Sequence, residues 1–164
     1  MAMKDALLPE FDHEMAITRK VLDRVDAEQF GWQPHEKSMT LGRLATHVAE
    51  IPQWAKTILS ETELNMVPGA YKPKTIGTKA ELLALFDGAV QAGRALLLGM
   101  TDAQLMQTWT FKQDGKELFS MPRTAAWRGW VMSHSIHHRG QLSVYLRQTG
   151  SKVPGIYGPS ADEP

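Results

Sequence analysis

Three of the six histidines in this 164-residue chain fall within five positions, in the string His134-Ser-Ile-His137-His138. An α-helix turns about 100° per residue, so residues four apart differ by only about 40° and share a face. His134 and His138 can therefore aim two imidazoles at one point. They belong to the series Trp127, Val131, His134, His138, Leu142 and Tyr145, which recurs at alternating four- and three-residue steps and marks a core-facing seam. A bundle would ordinarily place leucine or valine at such positions. Burying an imidazole without partners costs about 1–3 kcal/mol. A single seam histidine usually reads as a satisfied core residue, whereas two at this spacing are better explained by a shared ligand, as in zinc helices of the His-x-x-x-His type. His47 lies on the inner stripe of another helix, one turn from Leu44 and Ile51. Alone it reads as a packing residue. Together, His47, His134 and His138 point to one divalent metal ion per chain, built from facing helices.

Three imidazoles without a fourth protein ligand leave an open coordination position, which suits a catalytic site better than a structural one. An open divalent ion lowers the pKa of a bound water or substrate thiol and so yields a nucleophile near neutral pH. The chain has no cysteine, so any thiol would be the substrate's. Glu50, Gln141 and Tyr145 are the nearest groups for proton transfer, and each also reads as a packing residue or as a partner that orients a ligand. His137 lies about 100° around the helix from His138 and is read as a groove residue beside the site. His13 and His35 lack inward-facing company. Arg139 is expected to extend towards carboxylates at the surface, and Gly140 to let another backbone approach. Trp54, Trp127 and Trp130 are candidates to wall a pocket.

The elements that must position these residues are helical. Apolar periodicity predicts helices over about 4–27, 38–60, 78–99 and 122–149. Ser38 or Thr40 can cap the second, and Pro52 should kink it. Thr78-Lys-Ala-Glu81 and Thr101-Asp-Ala-Gln104 read as capping boxes, the latter opening a short helix. Pro122 suits the first turn of the last helix and Gly150 its end. Asp114-Gly115 predicts a hairpin turn over about 108–120, pairing Lys112 with Glu117 and Phe111 with Leu118. Residues 61–77 read as a structureless connector and 150–164 as an extended tail. A connector of that length often covers a functional site.

Composition narrows the classes. Eighteen basic and eighteen acidic residues give no net charge, so nothing favours nucleic acid or an anionic membrane as partner. No apolar run is expected to approach membrane-spanning length and no signal-peptide core opens the chain, so a single cytoplasmic domain spanning 1–164 is expected.

The assembled residues resemble the DinB-like (DinB/YfiT) family. The resemblance rests on Leu44-Ala-Thr-His47-Val-Ala-Glu-Ile and on His134-Ser-Ile-His-His-Arg-Gly-Gln141, supported by Trp32-Gln-Pro-His-Glu-Lys-Ser38, the Asp-Gly hairpin and the tail from Val153 to Glu163. It implies an all-α, up-down-down-up four-helix bundle with a short helix and a small hairpin before the last helix. It also implies a nickel or zinc ion (iron or manganese as alternatives) on His47, His134 and His138, and a homodimer. Relatives include thiol-dependent transferases and isomerases. One departure bears on mechanism: no acidic residue stands obviously beside the triad to act as base. The expected function is a metal-dependent hydrolase or thiol transferase acting on a small molecule, with a thiol co-substrate in the second case. The alternative is a non-catalytic bundle that binds a metal or ligand.

Overall fold

A computed structural model describes residues 1–164. Helix α1, Met3–Asp23, buries Leu7, Leu8, Phe11, Met15, Val21 and Leu22 along one stripe. It stops four residues short of the expected end. Asp26 accepts from the Glu28 N–H at 3.0 Å and opens a separate 3₁₀ turn, Ala27–Gln29. Thr40 caps α2, Leu41–Glu50, by accepting from Arg43 N–H at 3.2 Å. The expected kink falls at Pro52, where the helix tightens into a 3₁₀ turn, Ile51–Gln53, before resuming as α3, Trp54–Ser60. Proline has no N–H for the preceding turn, and the tighter 3₁₀ winding, with fewer residues per turn, accommodates that loss.

The connector after α3 departs from expectation. Glu63–Met66 forms a strand, β1, that pairs in parallel with β2, Thr108–Gln113. Its two half-buried residues are Leu64 and Met66. Lys112 Nζ meets Glu63 at 2.6 Å, and the Gly115 N–H donates to Asn65 Oδ1 at 2.9 Å. The hairpin is thus part of a three-stranded sheet, β1-β2-β3, with β3 spanning Lys116–Pro122. The chain is mostly helical with a small sheet rather than helical with a lone hairpin. Asp114 and Gly115 take φ of 50° and 77°, as a two-residue turn requires. Lys112 faces Glu117 as expected, but a bulge makes Phe111 face Phe119, leaving Leu118 exposed. The slip lets Phe111 and Phe119 stack at 5.2 Å.

Helix α4, Lys79–Gly99, starts at the Thr78–Glu81 capping box, and α5, Asp102–Leu105, at the Thr101–Gln104 box. By length and apolar content α4 passes the test for a membrane span, at a mean hydropathy of 1.4, contrary to expectation. It packs on α1, α2 and α3, and its Asp87 and Arg94 form ion pairs with Arg19 and Asp12 of α1. A Cβ at Gly93 would lie 3.0 Å from Ala55 Cβ, so glycine there sets the close approach of α4 to α3.

The last helix has three parts. Pro122 ends β3 and precedes α6, Arg123–Ala126. A π-helical stretch, Trp127–Ser133, follows, and α7 runs His134–Gln148. Gly150, at φ 78°, ends it: the Gly150 and Ser151 N–H groups donate to the Arg147 and Leu146 carbonyls at 3.3 and 2.9 Å. Helix α7 packs on α1 and α2, both of which also pack on α4.

Two readings around Arg139 are corrected. No non-local atom lies within 4 Å of a Cβ built on Gly140, so this glycine serves no close backbone approach. Arg139 does not reach the surface; it is 1% exposed and lies 2.8 Å from Glu14 Oε2. It donates to the Glu14 carbonyl, Thr18 Oγ1 and Tyr157 Oη at 3.0, 3.2 and 2.6 Å. The Tyr157 hydroxyl in turn donates to Glu14 at 2.8 Å, so the tail docks onto α1 and α7.

Candidate metal centre

His47 lies in the last turn of α2, and His134 and His138 in the first two turns of α7. The structure brings these three together, each half-buried, with one ring nitrogen from each within 4.8 Å of the others. The Nε2 atoms of His47 and His134 are 3.2 Å apart. Nitrogens about 2.0–2.1 Å from one ion, at tetrahedral or octahedral angles, stand about 2.9–3.4 Å from each other. The donor set and the His47–His134 spacing therefore fit a divalent ion. His138 Nδ1 donates to Gln141 Oε1 at 2.7 Å, which leaves its Nε2 lone pair for ligation. The Trp130 carbonyl accepts from the His134 ring and fixes it likewise. That carbonyl belongs to the π-helical stretch, a distortion frequent at functional sites.

Burial, more than any single charge, disfavours protonation of all three rings. His47 falls from 6.5 to about 4 through desolvation, then His138, His134 and Arg43. His134 and His138 are lowered for the same leading reason. The rings are neutral at pH 7, the form that ligates. The unfolded chain takes up these protons near pH 6.5 while the folded chain resists until about 4 for His47. Chelator-treated protein should therefore lose stability as pH falls through that window. Its Tm should be lower at pH 5 than at pH 7.5, with a smaller drop in His47→Gln. A Tm that rises on acidification would contradict this placement of His47.

The other candidates separate as follows. His137 is exposed and lines a shallow cleft with Gly129, Trp130, Ser133 and His134. His13 and His35 are exposed. Tyr145 packs edge-on against Trp32 at 5.2 Å, and its hydroxyl donates to the Met39 carbonyl; it is a packing group. Trp127 is buried against Phe11 at 5.1 Å and walls nothing.

Trp54 and Trp130 do wall a cavity of about 520 Å³ beside His47, with Glu50, Gln53, Lys56, Thr57, Leu64, Met66 and Tyr71. Sequence reasoning missed Tyr71, Leu64 and Met66, whose only signal was the length of their connector. Glu50 is buried. Its carboxylate accepts from the Tyr71 hydroxyl at 2.7 Å, the Lys74 N–H at 3.3 Å and Arg43 at 3.4 Å. An acidic residue thus does share the cavity with His47, and it also anchors the chain covering that cavity. Burial and the Glu50 carboxylate raise the Tyr71 pKa, so the phenol keeps its proton. Tyr71→Phe deletes two hydrogen bonds to charged groups, the one donated to Glu50 at 2.7 Å and the one accepted from Arg43 at 3.3 Å, each worth about 1.5–3 kcal/mol. Amide exchange over residues 67–77 should accelerate at least about tenfold. Unchanged exchange would show that the Tyr71 hydroxyl does not anchor this segment.

Fold and site together define a mostly helical protein that gathers three imidazoles from two helices, with His47 on the wall of a cavity and His134 on that of a second, shallower cleft. The chain belongs to the DinB family, whose profile matches residues 1–164. It is 32% identical to the uncharacterized protein YrdA of Bacillus subtilis, over 97% of this chain and 90% of that protein. A crystal structure of a DinB-like protein from Bacillus cereus matches at a TM-score of 0.71 and 25% identity, covering 93% of this chain and 97% of that one. The DinB-like protein YjoA of Bacillus subtilis matches at 0.69 and 23% identity, covering 92% and 97%.

Proposed function

We propose that this chain is a metal-dependent enzyme acting on a small molecule, of hydrolase or thiol-transferase type, with His47, His134 and His138 holding the ion. The observation that supports it is the convergence of three half-buried, neutral imidazoles, with His47 opening onto a cavity and His134 onto a shallow cleft. A divalent ion bound there, nickel or zinc by the family resemblance, would supply a Lewis acid that lowers the pKa of a bound water or thiol. Gln141 and the Trp130 carbonyl hold two rings in orientation. Glu50 lines the same cavity and is the carboxylate placed to accept a proton there, once the Tyr71 hydroxyl turns aside. The covering segment and the indoles limit the entry of bulk water.

The contacts of α1 and α2 with both α4 and α7 support an up-down-down-up four-helix arrangement. A cytoplasmic homodimer completes the reading that the family membership suggests. A second reading keeps the metal and drops the reaction: Glu50 already accepts from Tyr71, Lys74 and Arg43, which suits a binding protein. Assay of ion-loaded protein against esters, amides, epoxides and activated thiol acceptors separates the two. Turnover that chelation abolishes and His134→Ala lacks is expected. Its absence across all four classes, with the ion bound, leaves the binding reading.

A further inference from the structure

The cavity beside His47 has an unusual wall. Trp54 and Trp130 touch at 5.2 Å with their planes tilted by 56°. Phe111 backs Trp130 at 4.8 Å and holds its ring from behind. Leu64 and Met66 of β1 also line the space. Rigid aromatic surface of this kind favours a flat π-system over an aliphatic chain of equal area, because ring quadrupoles add an oriented attraction to burial. Methionine sulfur adds a favourable contact with aromatic rings. At about 520 Å³ the cavity admits a drug-sized molecule.

We propose that the site selects a substrate with a flat aromatic body, about the size of two fused rings, and a polar head directed at His47. This rests on the reading of the triad as a metal centre for a small molecule and adds the class of molecule. Trp54 is then a specificity residue: it touches the substrate's body and takes no part in holding the ion.

The test compares 2-naphthohydroxamic, octanohydroxamic and acetohydroxamic acids, which share one metal-binding head. Binding is followed by tryptophan fluorescence on nickel-loaded and on stripped protein, with bound nickel measured directly. The naphthyl compound should bind about three- to tenfold more tightly than the octyl one. Trp54→Leu should erase that preference by weakening the naphthyl compound more than the octyl one, and leave bound nickel unchanged. The preference should persist, at weaker affinity, in stripped protein, because the wall is made of side chains alone. Equal affinities for the naphthyl and octyl compounds in both states would overturn the proposal, as would a preference that survives Trp54→Leu. Protein that takes up no nickel yet keeps the preference would instead sink the metal reading alone.

Discussion

His134→Ala is expected to weaken nickel or zinc binding by at least about 100-fold. Loss of a group that merely orients a ligand already costs about 10–100-fold, and His134 is placed as a ligand. The triad comes from only two helices, and His47 Nε2 stands 3.2 Å from His134 Nε2, so loss of either leaves two imidazoles at the site. His47→Ala and His138→Ala should behave alike, and Gln141→Leu should cost about tenfold, because it releases His138 Nδ1. His137→Ala is the internal control. Its ring is exposed on the next face, so affinity should hold within about twofold. Competition against a chromophoric chelator reads all five variants. Equal losses for His134→Ala and His137→Ala would place the ion elsewhere on the helix.

The second large effect lies away from the metal. Arg139→Ala leaves the Glu14 carboxylate, itself buried, without its cation and strips the Tyr157 hydroxyl of a donor. Breaking a buried pair from one side costs about 3–5 kcal/mol. In a chain of this length that lowers Tm by roughly 10 °C. Replacing both charges, Arg139→Met with Glu14→Leu, should recover most of the loss, since neither desolvated ion is then left unpaired. Thermal denaturation of the two variants distinguishes a buried network from an incidental contact. A shift below about 2 °C in Arg139→Ala would show that the tail and helix α1 do not depend on it.

Arg139 also shows where a sequence stops being informative. Its position beside the seam was plain, but its partners Glu14, Thr18 and Tyr157 come from α1 and the tail, and no local pattern connects them. The triad was legible for the opposite reason. Helical spacing alone aligns His134 with His138, and His47 stood on an apolar stripe between Leu44 and Ile51. Strand β1 escaped notice because four residues with two half-buried side chains resemble any connector, and its pairing partner lies more than forty residues on. Trp127 is buried, as its place on the core-facing seam predicts, whereas Trp130, off that seam, is the one that walls the cavity. Tyr71 carried no signal beyond the length of its connector: it gains meaning only through Glu50, 21 residues earlier.

The central claim is that three imidazoles hold one divalent ion. The most direct measurement is anomalous scattering, at the nickel and zinc absorption edges, from crystals of untagged protein purified without added metal. One peak per chain is predicted, about 2.0–2.2 Å from a ring nitrogen of each of His47, His134 and His138. No peak at either edge, or a peak whose ligands omit His47, would contradict the account.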